Sequence, residues 1–566
     1  MSKTMPAAIL FGLLILPCVG SGCSSSSAAS QDLLVDQVAE EIAAGEVDTE
    51  DIFVSFEDNV GEMPLAVDVA IFPDLPDVLT DVVDEWWWSD ATPDVTPDAI
   101  ADTAPELLPD LGWELQEDTF QPDNTEEAPP LFDLALLSDP ATANCTFTDH
   151  HTILKGTTLL DVWQVSYTSF ESVDGELAPI EIKAFAARPV LSGDNLPGIV
   201  QAHGLGGFAK EAHASGTAAL LGMFVLAYTG PGGGDAPDNT SEGLPSGWED
   251  GYRMFDTVPD PRGTWFWGHA VAAMRGLTCL EHHPAVDPLR LGMTGYSAGG
   301  VATLIASSVD PRIKVAVPLS GTLAWDVATQ SPGAWQHTLL NQAGLSTASQ
   351  QWLVLMDTIV SSQALLPGNG AKVMMVNGST DEFFPLTAHM DCFSALPGAD
   401  KRTSIAANFD HGCYALTGGE SASAIEERAA IRAEGGQRLW FRHWFQTDDD
   451  YGYVPTPPQV TVQAVGPVTM VTAVVDPGGS KLEVEEVKVW ASNDDSFFFA
   501  SVDLANQGNG LYSEMAWFTL QENTVLFVDV QYRTQSLLFP ERFSISSPPQ
   551  VPATLVPHIR NIDSCM

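Results

Sequence analysis

Positive charge is scarce in this chain of 566 residues: 23 Lys and Arg stand against 75 Asp and Glu, and the formal net charge is -52 at pH 7. A polyanionic protein repels phosphates, and the few basic residues form no patch, so nucleic acid is disfavoured as a partner. Cysteines are also few, seven in all, and none has the spacing of a metal site. The sequence therefore predicts neither a nucleic-acid partner nor a metal.

Two segments that superficially suggest a cofactor lack the residues for it. Gly230–Gly234 is rich in glycine, but no Lys-Ser or Lys-Thr follows it, so it is not a phosphate-binding loop. His282 and His283 are adjacent rather than spaced for a metal, which indicates a helix end. We therefore expect no cofactor.

The N-terminus has no apolar run long enough to cross a bilayer. Lys3 precedes a short apolar stretch, Ala7–Leu16, which predicts a signal peptide over residues 1–22. Gly20-Ser-Gly-Cys23 resembles a bacterial lipoprotein processing site, although Gly20 stands where leucine is usual. We expect a cell-envelope lipoprotein anchored to the membrane through a lipid on Cys23, with simple secretion as the alternative.

Residues 23–140 form a strongly acidic segment. No Lys or Arg occurs from Ser24 to Pro140, whereas 31 Asp and Glu lie between Gln31 and Pro140. Such a charge density opposes compaction, so a disordered spacer between membrane and folded body is expected. Trp86–Trp88 is an unusual cluster for a passive linker, and docking on the folded body or on a partner is the alternative.

The pattern over residues 141–453 predicts a catalytic domain of the α/β class. Antiparallel edge strands, as at Ile180–Ala186, come first, and then strands and helices alternate, which is typical of a mostly parallel sheet covered on both faces. A helix-rich segment, Pro332–Leu366, is expected to cap the sheet edge. The predicted strands and helices are Gly198–Ala202, Gly207–Leu221, Phe224–Tyr228, Thr264–His282, Leu289–Thr294, Ala298–Ser308, Ile313–Leu319, Lys372–Val376, Thr403–Ala407 and Ala422–Phe445.

A proline-rich hinge at Val454–Pro458 marks the next boundary. Beyond it the helical period disappears, and six short runs with strand composition are separated by turn residues. This spacing predicts a β-sandwich of the immunoglobulin type over residues 454–566.

The motif Gly295-Tyr-Ser-Ala-Gly299 lies between a predicted buried strand and a helix of small residues. Glycines on both sides of Ser297 allow a sharp strand-to-helix turn that raises the hydroxyl above the sheet. This nucleophile elbow predicts an α/β-hydrolase fold with Ser297 as the nucleophile; an inert serine in a packed turn is the alternative.

A serine hydroxyl needs a base, and in this fold the order along the chain is serine, acid, histidine. Asp381 follows the strand predicted at Lys372–Val376, and His411 follows the one at Thr403. We therefore predict a Ser297–His411–Asp381 triad. Glu382 is the alternative acid, and His389 is the rival base, although a place on a helix surface suits it better.

Acyl transfer also requires two donors for the developing oxyanion. The first should be the amide of Ala298, directly after the nucleophile. The second should come from the loop His203-Gly-Leu-Gly-Gly207, where Leu205 is favoured over Gly206, with a simple glycine-rich turn as the alternative.

Five cysteines lie beyond the export signal and the predicted lipid site. An oxidising compartment would allow up to two disulfides among them. Cys392 with Cys413 is the favoured pair, because both are expected on loops near one edge of the sheet. The five are Cys145, Cys279, Cys392, Cys413 and Cys565.

Several motifs between Ile180 and Phe445 resemble those of known hydrolases. His203-Gly204, the segments 286–292 and 310–318, Asp381 and His411 are similar to bacterial acetyl xylan esterases and to the prolyl oligopeptidase and dienelactone hydrolase groups. Residues 377–385 and 487–490 also resemble PhoPQ-activated pathogenicity-related proteins. The resemblance implies the fold and the triad, and it implies the substrate only broadly, since these groups include esterases and peptidases.

The function expected from these features is hydrolysis of a carboxylic ester through an acyl-enzyme. Deacetylation of a carbohydrate or of a small ester is the favoured reaction. A peptidase of the prolyl oligopeptidase type is the first alternative, although the chain has no β-propeller gate. The second is a surface-binding protein that carries a vestigial hydrolase. The sequence does not indicate the oligomeric state.

Overall fold

In a computed structural model, the described residues are 131–254, 260–331, 334–337, 370–398, 400–412, 419–445, 454–476, 481–493, 498–535 and 541–551. The predicted signal peptide, Cys23, Trp86–Trp88 and the acidic segment up to residue 130 lie outside these residues, as does most of the predicted cap at Pro332–Leu366. The end of the acidic segment, residues 131–140, is ordered and not disordered as predicted, because Phe132 and Leu137 are buried in the hydrophobic core. Within the described residues, no helix combines the length and hydrophobicity that a bilayer crossing requires.

Seventeen strands are described, and thirteen of them form one large mixed sheet. The strands are β1 Thr146–Lys155, β2 Thr158–Val173, β3 Glu176–Pro189, β4 Leu196–Ala202, β5 Phe224–Tyr228, β6 Val286–Tyr296, β7 Ile313–Leu319, β8 Lys372–Gly378, β9 Lys401–Ala406, β10 Gln459–Val465, β11 Val468–Val474, β12 Glu483–Ser492, β13 Ala500–Asp503, β14 Ala505–Gly508, β15 Leu511–Ala516, β16 Val525–Arg533 and β17 Arg542–Ser546.

Eight α-helices are described beside these strands. They are α1 Leu134–Leu137, α2 Pro140–Ala143, α3 Glu211–Leu221, α4 Trp265–Glu281, α5 Ala298–Val309, α6 Trp325–Thr329, α7 Leu386–Ala395 and α8 Ala422–Phe445.

The first nine strands have the order β1-β2-β3-β5-β4-β6-β7-β8-β9. The strands from β1 to β3 and the β3–β5 pair are antiparallel, and all pairs from β5 to β9 are parallel. Helices α4 and α5 pack on one face, and α3 and α8 on the other. This arrangement is the α/β-hydrolase fold, as predicted.

Most predicted elements are confirmed with small shifts at their ends. Helix α8 and strand β7 have the predicted bounds. Helix α3 begins at Glu211 rather than Gly207, because Gly207 closes a turn by donating to the carbonyl of Gly204. The edge strands are longer than expected, since β2 and β3 pair along fourteen positions.

The C-terminal strands form a β-sandwich whose two layers share one apolar core. One layer is the four-stranded sheet β10-β11-β15-β14, and the other consists of β17, β16, β12 and β13. The second layer also continues the hydrolase sheet, since Ser546 of β17 pairs with Thr403 of β9. A buried ion pair between Arg432 of α8 and Asp529 of β16 further joins the two regions.

The predicted disulfide between Cys392 and Cys413 is wrong. Cys392 lies on α7 rather than on a loop, and its thiol is free and buried in the core; Cys413 is outside the described residues. Instead, Cys145, directly before β1, is bonded to Cys279 of α4 across a sequence separation of 134 residues.

Removing this disulfide should lower stability. A crosslink that closes a long loop restricts the unfolded chain, so the Cys145→Ser, Cys279→Ser double variant should lose about 2–4 kcal/mol of unfolding free energy. Urea unfolding with and without reductant measures the effect. Reductant should shift the wild-type transition but not that of the double variant, and an unresponsive wild type would contradict the bond. Cys392→Ala, which removes a free thiol, should retain the response to reductant.

Candidate active site

Ser297 stands at a sharp turn between β6 and α5. Its φ of 58° and ψ of -122° lie in a region that non-glycine residues rarely adopt. The two flanking glycines are required by space: a Cβ on Gly295 would come 2.4 Å from the carbonyl oxygen of Gly299, and one on Gly299 would come 2.4 Å from that of Ala202. The turn places the hydroxyl at the positive end of α5.

The structure brings the three predicted triad residues together. The Ser297 hydroxyl oxygen lies 2.8 Å from Nε2 of His411. Nδ1 of the same ring lies 3.0 Å from both carboxylate oxygens of Asp381. Asp381 follows β8 and His411 follows β9, so the carboxyl ends of neighbouring parallel strands carry the acid and the base.

The surroundings of Asp381 orient its carboxyl group. Its Oδ1 accepts the backbone N–H of Phe383 at 2.9 Å and that of Phe384 at 2.7 Å. These two hydrogen bonds fix the position of the carboxyl group beside the His411 ring. A carboxylate at this position makes Nδ1 of His411 the protonated nitrogen and leaves Nε2 as the acceptor that faces Ser297.

Aromatic rings pack against the imidazole of His411. Tyr296 stacks against it with 5.1 Å between ring centroids, and Phe383 lies at 4.3 Å on the same measure. Burial alone would lower the pKa of His411, but the charge of Asp381 and its hydrogen bond outweigh burial, so the pKa is raised above 6.5. The proton that His411 takes from Ser297 is thereby stabilised.

Glu382, the alternative acid, contacts the backbone of His411. Its Oε2 accepts the N–H of His411 at 3.1 Å, whereas the ring bonds to Asp381. Burial, together with the nearby Asp410 and Asp381 carboxylates, raises the pKa of Glu382 to about 8. The geometry therefore favours Asp381 as the partner of the imidazole.

His389, the rival base, is not at the surface as expected. It lies on α7, fully buried, and its Nε2 bonds to the Thr403 hydroxyl at 2.9 Å. Burial lowers its pKa to about 4. His389 is a neutral residue of the core and does not reach Ser297.

The predicted oxyanion donors lie on both sides of Ser297. Ala298 begins α5, so its amide is one of those that a helix leaves without an intrahelical acceptor. Across from it, a Cβ on Gly204 would come 3.1 Å from the Ser297 Cβ, so the loop that carries Leu205 lies against the nucleophile.

The backbone N–H groups of Leu205 and Gly206 differ in their hydrogen bonding. The N–H of Gly206 donates to Oδ2 of Asp250 at 2.5 Å and is therefore occupied. For the Leu205 N–H, no acceptor occurs among the described residues. The structure thus favours Leu205 over Gly206 as the second donor.

Asp250 has no local signal in the sequence, because it lies 44 residues from the amide that it binds. Burial raises the pKa of Asp250 to about 7. His203 supports the same loop: its Nδ1 lies 2.6 Å from the carbonyl oxygen of Gly204, and its Nε2 accepts the N–H of Gly230 at 2.7 Å. Burial lowers the pKa of His203 to about 4, so it is neutral and structural.

A cavity of about 180 Å³ lies beside the elbow, between the ends of β4 and β6 and helix α3. Gly204, Tyr296 and His213 are among the residues that line it, whereas Ser297 is not. No group of three or more potential metal ligands occurs within the part of the chain that the structure describes.

Part of the chain is similar to a known esterase family. Residues 149–324 match the family "Acetyl xylan esterase (AXE1)", which confirms the expected likeness over that segment. The match includes Ser297, Ala298 and Leu205 and ends before Asp381 and His411. No curated protein matches the chain.

Similar solved structures include two acetyl xylan esterases. The one from Paenibacillus sp. R4 is 18% identical, with 49% of this chain and 86% of that chain covered and a TM-score of 0.39. Acetyl xylan esterase 1 from Thermoanaerobacterium sp. JW/SL YS485 is 16% identical, with 52% and 93% covered and a TM-score of 0.39. An S-formylglutathione hydrolase from Agrobacterium tumefaciens is 14% identical, with 52% and 99% covered and a TM-score of 0.33.

Proposed function

We propose that this α/β-hydrolase is a serine esterase that removes acetyl or other short acyl groups from a carbohydrate or small ester. The observation that carries the proposal is the continuous hydrogen-bonded path from Ser297 through His411 to Asp381, at distances of 2.8 and 3.0 Å. The acetyl xylan esterase match over residues 149–324 supports an ester as the substrate.

In the first step, the Ser297 oxygen attacks the acyl carbon while Nε2 of His411 takes the hydroxyl proton. The amides of Ala298 and Leu205 stabilise the oxyanion that forms on the acyl oxygen. The C–O bond then breaks, and His411 gives the proton to the leaving alcohol. Water, deprotonated by the same imidazole, releases the acid and restores Ser297.

Charge also bears on the class of substrate. A protein with a formal net charge of -52 repels anionic polymers at low ionic strength. A neutral acetylated carbohydrate carries no such penalty. The intact triad geometry and the buried, oriented Asp381 also weigh against a vestigial hydrolase that only binds.

A substrate panel tests the proposal. Nitrophenyl acetate, nitrophenyl octanoate, acetylated xylan and a prolyl nitroanilide peptide are compared by kcat/KM, with acetate release as the readout for xylan. We expect the acetyl esters to be cleaved at least about 10²-fold faster than the peptidyl amide, because an amine is a poorer leaving group than an alcohol.

Each other outcome assigns a different function. Faster turnover of the peptide would identify a peptidase, and preference for the octanoate would identify an esterase for long acyl chains. If no substrate of the panel is cleaved but the protein binds to xylan, the chain would be a surface-binding protein instead.

A further inference from the structure

Asn408 lies three residues before His411, in the loop that follows β9. It is fully buried, and its φ of 60° places it in the left-handed region, which asparagine tolerates better than most residues. A buried polar side chain must find hydrogen-bond partners, and those of Asn408 lie far away in the sequence.

The side chain of Asn408 pairs with the backbone of Phe499 in the C-terminal β region. Oδ1 of Asn408 accepts the N–H of Phe499 at 2.7 Å, and Nδ2 donates to the Phe499 carbonyl at 2.8 Å. Nδ2 also donates to Glu420 at 2.8 Å. The amide thus occupies both backbone groups of one residue, as a neighbouring strand would.

The backbone of Asn408 is tied to the loop of the acid. Its N–H donates to the Ser379 hydroxyl at 2.8 Å, and Ser379 lies two residues before Asp381. One buried residue therefore connects the loop that carries Asp381, the loop that carries His411 and the C-terminal β region.

The partner of Asn408 is itself firmly placed. The Phe499 ring is fully buried in a core cluster that joins residues from both regions, among them Ile405 just before the loop and Trp490 and Phe527 from the sandwich. A position fixed by packing gives the loop a rigid point of attachment.

We propose, on the basis of the esterase function above, that Asn408 is a positioning residue for His411, and that the C-terminal β region is thereby part of the active-site scaffold. Asn408 touches neither Ser297 nor the imidazole in the structure. It acts through the loop, by holding the ring of His411 at the distance at which Ser297 can transfer its proton.

The test is the Asn408→Gly variant of the full-length chain. Glycine accepts a φ of 60° without strain, so the variant removes the side-chain bonds to Phe499 and Glu420 and leaves the backbone conformation available. We expect kcat for nitrophenyl acetate to fall about 10²-fold, because small displacements of a catalytic group have effects of this size, while KM changes little. Hydrogen exchange should quicken over residues 405–412.

Asn509→Gly is the matched control. Asn509 also has a positive φ, 53°, but lies exposed at a turn of the C-terminal region, so its variant should keep the kcat of the wild type.

If Asn408→Gly does not fold, Ser379→Ala continues the test. It deletes one oxygen atom and frees the Asn408 N–H, and a fall in kcat at constant KM is again expected.

The proposal is overturned if the folded Asn408→Gly variant keeps kcat within about twofold of the control and its hydrogen exchange over residues 405–412 is unchanged. The same result for Ser379→Ala, where that variant is used instead, also overturns it. Failure of the esterase proposal is recognised separately. A wild-type protein that cleaves no ester refutes that function, whereas the exchange comparison still decides whether Asn408 holds the loop.

Discussion

Replacing Ser297 by alanine should lower kcat for nitrophenyl acetate by about 10⁶-fold. Removal of the nucleophile of a serine triad has an effect of this size, because without it neither the base nor the acid has a function. The fold should persist, since the variant loses one oxygen atom at the beginning of α5. Steady-state kinetics, with active-site titration to exclude traces of wild-type enzyme, measure the loss.

Ser320→Ala is the control for this variant. Ser320 follows β7 as Ser297 follows β6, and it too has a positive φ, 44°. Its backbone N–H donates to Val376, and alanine retains that bond. Activity within a few-fold of the wild type is expected. A Ser297→Ala enzyme that kept a tenth of its kcat would show that another group attacks the ester.

Replacing Asp381 by asparagine should lower kcat by about 10⁴-fold, because an amide no longer holds the His411 tautomer that accepts the serine proton. The neighbouring Glu382→Gln variant should lose less than about tenfold, since Glu382 bonds to the backbone N–H of His411 and not to its ring. Comparison of the two by kcat identifies the acid. A large loss of kcat in Glu382→Gln, with only a small loss in Asp381→Asn, would identify Glu382 as the acid instead.

The Asp381→Asn variant should also change the dependence of kcat/KM on pH. Only neutral His411 accepts a proton, so kcat/KM should rise with pH through the pKa of His411, which the surrounding carboxylates place above 6.5. Loss of the Asp381 charge removes the main stabilisation of the imidazolium, so the rise in Asp381→Asn should move to lower pH. Profiles from about pH 5 to about pH 9 cover the transition.

The parts of the site that were predictable from sequence depend on local rules. Gly295 and Gly299 indicate the turn at Ser297, and strands that end just before Asp381 and His411 place both residues at one edge of the sheet. The preference for Leu205 over Gly206 also followed from position in the loop, but its physical support, the bond from Gly206 to Asp250, is visible only in the structure.

The features that sequence reasoning missed depend on contacts between distant residues. The Cys145–Cys279 bond spans 134 residues, and nothing near either cysteine indicates the other. The pairing of β17 with β9 likewise depends on how the sandwich packs against the hydrolase sheet, which local sequence does not show. The proline-rich segment at Val454 therefore suggested a separate unit, whereas the structure has one continuous sheet through β9 and β17. The interior position of His389 follows from which side of α7 faces the core, and its neighbours in sequence do not reveal it.

The 91 residues between Asn408 and Phe499 also bear on where the chain could be shortened. All three triad residues precede Phe499, yet the backbone to which the loop before His411 attaches lies beyond them. A chain that ended after α8 would therefore contain the full set of reacting groups and should still turn over substrate poorly.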